Sequence, residues 1–450
     1  MKIALIRPRC DYAEPEFQEP LGAEAVCGYL RAAGLDCRVF DRLLGATTAD
    51  LEAWGPDWVG FSLLTEADLA DALRLLQLLR APGRRFFAGG LFVTTEPERV
   101  RAAFPADTAL IPGEGERAVL SLVTGKAYPG LCAPDEWAFA SRDDLDAYLR
   151  RGGVIMLRSA RGCHGACAFC TMPGRTPEER RFSARSAALV AEEMASLCRA
   201  GYPPVFNFTD DEFGPADRVA ELISELERRD VRAAFSLEMR AAELVKTPPE
   251  RWKALASGGL SRVFTGLESF DPETLRRWNK PVDPAALLRA VEAMRRSGIV
   301  CELGYILWHP DSTPESVSRE TEQLHAAGLL SPKSALSRLA LFPGSALHRA
   351  SGLRCMRLAP LKPEAERLFR QWETLLEPLM PVWIRAALRL PGAACRARLD
   401  GTDGTLAALT DCIARIGELT YAGLRDKRRP GAEEIAEIGG MLDALCGAGE

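Results

Sequence analysis

Three cysteines, Cys163, Cys167 and Cys170, fall within eight residues in the stretch RSARGCHGACAFCTMPG. Thiolates are soft ligands, so this spacing is compatible with zinc, copper(I) or an iron–sulfur cluster. A structural zinc site needs four ligands, usually two cysteine pairs, and no second pair is apparent. His164 adjoins Cys163, which makes joint chelation of one ion awkward. Three thiolates suit a four-iron cluster with one iron open to another ligand, and the alternative is three buried cysteines without metal.

Other polar residues cluster where predicted strands of the same half of the chain end. The strand-like segment PVFNFTDDEF is followed by a helical pattern, and so are RAAFSLEMR, RVFTGLES and VCELGYILWHP. Carboxylates at such ends can accept hydrogen bonds from an ammonium group or from ribose hydroxyls. The residues of interest are Asp210, Asp211, Glu212, Arg240, Glu268, Ser269, Tyr305 and His309.

These strand ends belong to the second of two α/β regions. Residues 1–126 contain five strand–helix units in succession, which predicts a doubly wound parallel sheet with ligands beyond the carboxyl ends of its strands. Residues 127–152 break this alternation and are interpreted as a linker. Six further strand-like segments in residues 153–345 predict a partial (β/α)6 barrel, in which function again gathers at the strand ends. Residues 346–450 are mostly helical in pattern, with several proline breaks.

The composition excludes several classes of function. The 450-residue chain has 57 basic and 62 acidic residues and a net charge of −5, so it lacks the basic field of a nucleic-acid-binding protein and a polybasic patch for a membrane. No apolar run reaches the length of a transmembrane helix, and the N-terminus becomes polar too early for a signal peptide. Thirteen scattered cysteines argue against a disulfide framework. We therefore expect a cytoplasmic protein.

Taken together, the motifs resemble the cobalamin-binding branch of the radical S-adenosylmethionine (SAM) superfamily. The cysteine loop is similar to that superfamily's Cys-x3-Cys-x2-Cys signature, and FNFTDDEF, TGLESFDPETLRRWNKPVD and LGYILWHPDSTPES resemble later barrel motifs. In the last of these, Trp308 and His309 stand where a glycine is usual. The N-terminal PLG, VGFS, AGG and PGEGE segments resemble the cobalamin-binding domain that precedes the barrel. The resemblance covers residues 1–345.

The resemblance implies a [4Fe-4S] cluster on Cys163, Cys167 and Cys170, with SAM on the open iron. Phe169 is expected to pack near the adenine, and Arg240 to pair with the SAM carboxylate. Ser269 could instead cap a helix, and His309 and Tyr305 are candidate catalytic residues that could also be purely structural. The residues expected to bind SAM are Phe169, Asp210, Asp211, Glu212, Arg240, Glu268 and Ser269.

Cobalamin is the third implied cofactor, bound at the strand ends of the first domain. No histidine precedes His164, so this domain cannot supply the usual histidine ligand to cobalt. Leu63 or Leu64 would then lie closest to the lower cobalt face, which favours a cobalt without a sixth ligand. The residues expected at this site are Pro20, Leu21, Gly22, Ser62, Leu63, Leu64, Thr65, Gly89, Gly90, Leu91, Phe92, Gly113, Glu114 and Gly115.

The activity implied is methylation of an unactivated carbon through a 5′-deoxyadenosyl radical and methylcobalamin. A flavodoxin or ferredoxin would supply electrons, and the substrate would be a small molecule or a peptide. One alternative is a cobalamin-containing cyclase or rearranging enzyme without methyl transfer. A methylthiotransferase needs three further N-terminal cysteines, whereas Cys27 falls within a predicted helix. A regulator without turnover would not need the intact cysteine loop.

Overall fold

The structure is a computed structural model that describes residues 1–10, 18–172, 182–353, 355–401 and 403–446. The chain divides into two compact units. The first comprises residues 1–164 and 171–189, and the second comprises residues 165–170 and 190–450. The boundary therefore falls within the cysteine loop: Cys163 belongs to the first unit, whereas Cys167 and Cys170 belong to the second.

The first unit contains a five-stranded parallel sheet in the order β2-β1-β3-β4-β5. This order confirms the predicted doubly wound sheet. β2 lies on one side of β1, whereas β3, β4 and β5 are added on the other side, so the strand order reverses between β1 and β3. Apolar clusters cover both faces of the sheet, because its strands are almost continuously hydrophobic. The elements are β1 Lys2–Arg7, α1 Leu21–Ala32, β2 Asp36–Asp41, α2 Thr48–Trp54, β3 Trp58–Ser62, α3 Asp68–Leu78, β4 Arg85–Gly89, α4 Leu91–Thr95, α5 Pro97–Ala103, β5 Ala109–Ile111 and α6 Gly115–Thr124.

The predicted linker, residues 127–152, packs within the first unit. It contains a short 3-10 helix, Pro134–Glu136, and α7, Leu145–Arg150. Tyr148 is buried and donates a hydrogen bond to Asp41 at the end of β2, and Arg142 forms a buried ion pair with Glu19. The segment is thus integral to a folded unit, which its irregular sequence pattern did not indicate.

Residues 153–353 alternate between short strands and helices. The parallel strands β9 to β12 of the second unit lie in the order β12-β11-β10-β9, as expected for consecutive β/α units. The elements are β6 Ile155–Leu157, β7 Ala160–Arg161, β8 Ser183–Ala184, α8 Ala187–Arg199, β9 Val205–Phe208, α9 Ala216–Arg228, β10 Ala234–Glu238, α10 Ala241–Lys246, α11 Arg251–Ser257, β11 Leu260–Glu268, α12 Pro272–Arg277, α13 Pro284–Arg296, β12 Val300–Tyr305, α14 Pro314–Ala326, α15 Pro332–Ala335, β13 Ala340–Leu341 and α16 Ala346–Ser351.

The sixth barrel segment is shorter than its sequence predicted. Residues 337–345 contain only an isolated parallel bridge between Trp308 and Arg338 and the two-residue strand β13. β13 pairs antiparallel with β14, Arg357–Leu358. Pro343 and Gly344 lie one residue beyond the end of β13, and proline cannot donate to a strand ladder.

The C-terminal region is helical, as its pattern predicted. Helix α18 contains Pro391 and packs against β9, β10 and β11 with buried small side chains such as Ala394 and Cys395. Across the described residues, none of the helices combines the length and hydrophobicity that a membrane span requires. The helices are α17 Pro363–Leu376, α18 Met380–Asp400, α19 Asp403–Arg425 and α20 Ala432–Cys446, with a 3-10 turn at Glu377–Leu379.

Candidate active site

The part of the cysteine loop in the second unit is anchored through its backbone. The Ala168 N–H donates to the Trp278 carbonyl at 2.8 Å, and the Ala168 carbonyl accepts from the Leu347 N–H at 3.0 Å. The Asn279 side chain donates to the Ala166 carbonyl at 2.9 Å. Phe169 packs edge-on against Trp278 with ring centroids 5.7 Å apart. The loop that carries Cys167 and Cys170 is therefore held in place by protein contacts alone.

Three charged side chains act on Cys167. Lys280 lies 3.4 Å from the Glu268 carboxylate, and Arg240 lies two residues beyond the end of β10. Burial raises the pKa of the Cys167 thiol, Lys280 and Arg240 lower it, and Glu268 raises it. A carboxylate and two cations beside Cys167 have the charges needed to bind the amino and carboxylate groups of an amino-acid ligand.

The backbone at the end of β11 presents the Glu268 side chain in an unusual way. The ladder between β11 and β12 breaks between Gly266 and Glu268, and Glu268 has a φ of +71°. Its carboxylate folds back over Gly266, where an added Cβ would overlap Glu268 Oε1 and lie 2.8 Å from Lys280 Nζ. Asn279 also has a positive φ, +52°. Such conformations in non-glycine residues are uncommon and concentrate at functional sites.

A buried network supports this turn. Glu320 of α14 accepts hydrogen bonds from Ser269 Oγ at 3.0 Å and from Tyr305 Oη, and the Phe270 N–H donates to Tyr305 Oη at 3.1 Å. Burial raises the pKa values of both Glu320 and Tyr305. Ser269 and Tyr305 thus lie in the packing beneath the turn, and their predicted roles in SAM binding and catalysis remain predictions.

The acidic segment after β9 is fixed by aromatic packing. Phe208 and Phe213 are buried and meet edge to face at 5.0 Å, and the Phe213 N–H donates to the Glu238 carbonyl at 2.8 Å. Asp210 and Glu212 are buried beside this turn, whereas Asp211 is exposed. The structure therefore supports the predicted turn; the contacts of its carboxylates with SAM remain a prediction.

Glu238 is a charged residue that sequence reasoning missed. It ends β10, in a polar environment formed by Asp210, Asp211, Arg262 and Glu302. Burial raises the pKa of Glu238 to about 7, Arg262 opposes the rise and Asp211 adds to it. Arg262 itself is paired with Glu302 at 3.2 Å. The signal available in the sequence was the ionisable Glu at the last position of an apolar strand.

His309, a candidate catalytic residue in the sequence, is buried in the structure. Its exposed fraction is 6%, and its ring packs edge-on against Trp278 with centroids 5.2 Å apart. Burial lowers its pKa, and Asp311, 4.0 Å away, raises it. Because Trp278 also contacts Phe169, His309 belongs to the packing that supports the cysteine loop. A direct catalytic role would require this packing to open.

The predicted cobalamin loops follow β3, β4 and β5, which are neighbours in the first sheet. Gly90 has a φ of +103°, and an added Cβ there would overlap the Leu63 backbone, so glycine permits two of these loops to touch. Thr94 Oγ1 joins the third loop by accepting from the Gly113 N–H at 2.9 Å. Leu63 is fully buried whereas Leu64 is 52% exposed, so Leu64 is the side chain available to a ligand.

A buried arginine connects the third cobalamin loop to the cysteine motif. Arg161 pairs with Glu114 at 2.6 Å and with Glu116, and its guanidinium lies 4.2 Å from the centre of the Trp137 ring. Arg161 precedes Cys163 by two residues, and Glu114 lies in the predicted cobalamin site. The Arg161 side chain is 11% exposed, so this charge pair is largely shielded from solvent.

For the remaining residues of the predicted cobalamin site, the structure gives a position, and their role in binding stays a prediction. Pro20, Leu21 and Gly22 begin α1, and Ser62 and Thr65 flank the loop after β3.

Among the His, Cys, Asp and Glu residues that the structure describes, no three side chains lie close enough together to hold a single metal ion. In an iron–sulfur cluster several irons share the thiolates. The donor set of Cys163, Cys167 and Cys170 is soft and fits such a cluster, although its assembly remains a prediction.

Two protein-family models match the chain in the order in which the sequence suggested them. The model of the B12 binding domain matches residues 15–123, and that of the radical SAM superfamily matches residues 157–317. The second match includes the cysteine loop, the acidic turn after β9 and the Glu268–Lys280 pair. These matches confirm the resemblance and the cofactors that the two domains imply.

Several curated proteins are similar over most of the chain. An uncharacterized methyltransferase from Pyrococcus horikoshii is 26% identical over 70% of this chain and 76% of its own length. Hopanoid C-3 methylase from Methylococcus capsulatus is 27% identical over 64% of this chain and 61% of its own length.

A solved structure shows the same fold. The cobalamin-dependent SAM radical enzyme OxsB, with aqua-cobalamin bound, superimposes with a TM-score of 0.74 at 15% identity, covering 99% of this chain and 79% of the OxsB chain. The order of domains, the cysteine loop and the family matches together lead to one assignment. The chain is a member of the cobalamin-binding radical SAM proteins, with a B12-binding domain followed by a radical SAM domain.

Proposed function

We propose that the protein is a cobalamin-dependent radical SAM methyltransferase that methylates an unactivated carbon. The observation that carries this proposal is the anchored cysteine loop beside the Glu268–Lys280 pair, in a chain that also contains a B12-binding domain. The similarity to methyltransferases supports transfer of a methyl group. The substrate is a small molecule or a peptide.

The chain's own residues bind and orient the cofactors. Cys163, Cys167 and Cys170 would hold the cluster, and Glu268, with Lys280 and Arg240, would bind the amino-acid part of SAM. When bound, these cofactors supply the 5′-deoxyadenosyl radical and the methyl group. Asp210 and Glu212 would extend the polar pocket, and Phe169 would pack near the adenine.

In the first domain, the loops after β3, β4 and β5 would hold cobalamin. Of the two leucines in the Ser62–Thr65 loop, Leu64 is the exposed one, and no histidine occurs in the first 163 residues. An aliphatic side chain cannot ligate cobalt, so we propose that this loop leaves the lower cobalt face without a protein ligand. If cobalamin is bound base-off, so that its own benzimidazole does not ligate cobalt either, electron paramagnetic resonance of the cobalt(II) form would lack the splitting caused by an axial nitrogen.

The central experiment uses anaerobically reconstituted protein, a chemical reductant and SAM labelled in its methyl group. Deoxyadenosine should form even without substrate, and a substrate panel should yield a product that carries the label. A variant with Cys163, Cys167 and Cys170 changed to Ala is the matched control, and it should bind cobalamin without cleaving SAM. Deoxyadenosine formation with an unlabelled, altered product would favour the cyclase or rearranging alternative. Undiminished SAM cleavage by the control would contradict the cluster assignment.

A further inference from the structure

The charges of the chain are unevenly distributed near the end of the barrel. Between Glu322 and Glu364 the sequence contains no Asp or Glu, although the chain as a whole has a net charge of −5. This interval carries six cationic residues: Lys333, Arg338, Arg349, Arg354, Arg357 and Lys362. A long acid-free interval in an acidic protein indicates a surface that attracts anions.

Three of these cations are exposed and lack acidic partners. Lys333 and Arg338 pair with Glu302 and Glu366, at 3.7 and 2.9 Å. In contrast, Arg349, Arg357 and Lys362 are exposed and form no ion pair with any residue in the described ranges. Arg349 donates to the Gly344 carbonyl at 2.5 Å, and Lys362 donates to the Asp311 carbonyl at 3.4 Å. Their positive charges therefore remain available to a partner.

Exposed apolar side chains lie on the same ribbon as these cations. In the antiparallel pair of β13 and β14, Ala340 pairs with Leu358 and Leu341 pairs with Arg357. Phe342 directly follows β13, and Met356 and Leu358 flank the exposed Arg357 in sequence. The exposed fractions of Phe342, Met356 and Leu358 are 45%, 48% and 53%, whereas Leu341 is buried. We call residues 338–353 and 355–362 the basic ribbon.

The basic ribbon is in direct contact with the cysteine loop. Leu347 of α16 donates its N–H to the carbonyl of Ala168, which lies between Cys167 and Cys170. Leu341 and Leu347 also share an apolar cluster with Phe169 of the loop. A protein bound to this ribbon would therefore contact a segment that itself packs on the loop.

We propose that the basic ribbon is the docking surface for an acidic flavodoxin that reduces the cluster. An apolar centre with a charged rim is the usual organisation of a transient interface, and complementary rim charges mainly accelerate and orient association. In the transfer, the reduced flavin loses one electron and the cluster gains one, and no atom changes place. This inference rests on the proposed function, since it requires a cluster in the cysteine loop.

The test compares wild-type protein with the triple variant Arg349→Glu, Arg357→Glu and Lys362→Glu. Binding of purified flavodoxin is measured anaerobically by calorimetry at low and high ionic strength, with reconstituted full-length protein. We expect wild-type affinity to fall as salt rises, and the triple variant to bind roughly tenfold more weakly at low salt. Deoxyadenosine formation driven by a chemical reductant should be the same in both proteins, whereas formation driven by reduced flavodoxin should be slower in the variant.

A matched control reverses three exposed cations on outer helices of the barrel. The variant Lys253→Glu, Arg289→Glu and Arg296→Glu carries the same change in net charge and should bind flavodoxin as wild type does. If both triple variants weaken flavodoxin binding equally, the effect comes from net charge alone and the proposal is overturned. A single variant, Phe342→Ser, tests the apolar centre and should weaken flavodoxin binding without changing the salt dependence of that binding.

The remaining outcomes are also decisive. Undiminished flavodoxin binding by the Arg349, Arg357 and Lys362 variant would overturn the docking surface, even if the enzyme is active with a chemical reductant. Self-association that the same reversal abolishes, measured by sedimentation, would assign the ribbon to a second copy of the chain and overturn the proposal. A lack of deoxyadenosine from wild type with a chemical reductant would instead contradict the proposed function itself.

Discussion

Replacing Gly266 with alanine should separate SAM binding from folding. The added Cβ would overlap Glu268 Oε1 and lie 2.8 Å from Lys280 Nζ. Both atoms are the far ends of flexible side chains, so the protein can relieve the overlap by rotating them away without moving its backbone. No positive φ is recorded at Gly266, so alanine is compatible with its backbone conformation. The substitution should therefore displace the two charged groups and leave the fold intact.

The size of the effect follows from the interactions that are lost. One charge-assisted hydrogen bond contributes about 1.5–3 kcal/mol. Loss of the bond between Glu268 and SAM should thus weaken SAM binding roughly ten- to a hundredfold. The melting temperature should change little in comparison, because no buried apolar contact is removed.

The measurement is the dissociation constant of SAM by calorimetry, together with deoxyadenosine formation under a chemical reductant and thermal unfolding. Gly304→Ala is the matched control, since Gly304 pairs with Gly266 across the ladder. Its added Cβ would meet the Phe264 ring at 3.2 Å and Glu268 Oε2 only at 3.6 Å, so SAM affinity should remain close to that of wild type. Wild-type SAM affinity in Gly266→Ala would refute the assignment of Glu268 and Lys280 to the SAM pocket.

Three further predictions concern other parts of the site. Arg161→Met leaves Glu116 buried without its cation, so it should destabilise the protein by about 3–5 kcal/mol and weaken cobalamin binding. Arg161→Lys should retain part of the stability, measured by chemical denaturation, and part of the cobalamin affinity, measured by absorbance titration. Glu238→Gln should alter the pH dependence of the melting temperature: wild type binds more protons folded than unfolded between about pH 4.5 and 7, so it should lose stability relative to the variant as pH rises through this range. Asp210→Asn should weaken SAM binding and slow deoxyadenosine formation without substrate, and normal SAM cleavage with loss only of methylated product would move Asp210 to the substrate site.

Much of the fold followed from the sequence because both sheets are parallel and buried on both faces. Their strands are short apolar runs separated by amphipathic helices, and the observed helix α9, Ala216–Arg228, differs by one residue at each end from the stretch 215–229 that its pattern indicates. The sixth barrel segment did not follow, since LFPG looks apolar but cannot extend a strand ladder. The packing of residues 127–152 could not be predicted because its contacts, such as Tyr148 with Asp41, join residues far apart in sequence.

The candidate site was only partly predictable for a similar reason. Cysteine spacing and glycine turns are local signals, so the cluster loop could be identified directly. The roles of Asn279, Lys280 and Glu320 depend on which side chains meet in three dimensions, and no spacing rule reveals that. His309 and Tyr305 are candidates for catalysis because they lie where a predicted strand ends, whereas the packing of His309 on Trp278 and of Tyr305 on Glu320 becomes visible only in three dimensions.

The packed segment 127–152 limits how this protein can be divided. A fragment ending at residue 126 would leave Asp41 without Tyr148 and Glu19 without Arg142, and it would uncover the apolar surface beneath Trp137 and Leu145. Such a fragment should aggregate or be degraded, and its failure to bind cobalamin would reveal nothing about the loops themselves. A fragment designed to isolate the cobalamin domain should therefore extend at least through Arg161, the partner of Glu114 and Glu116.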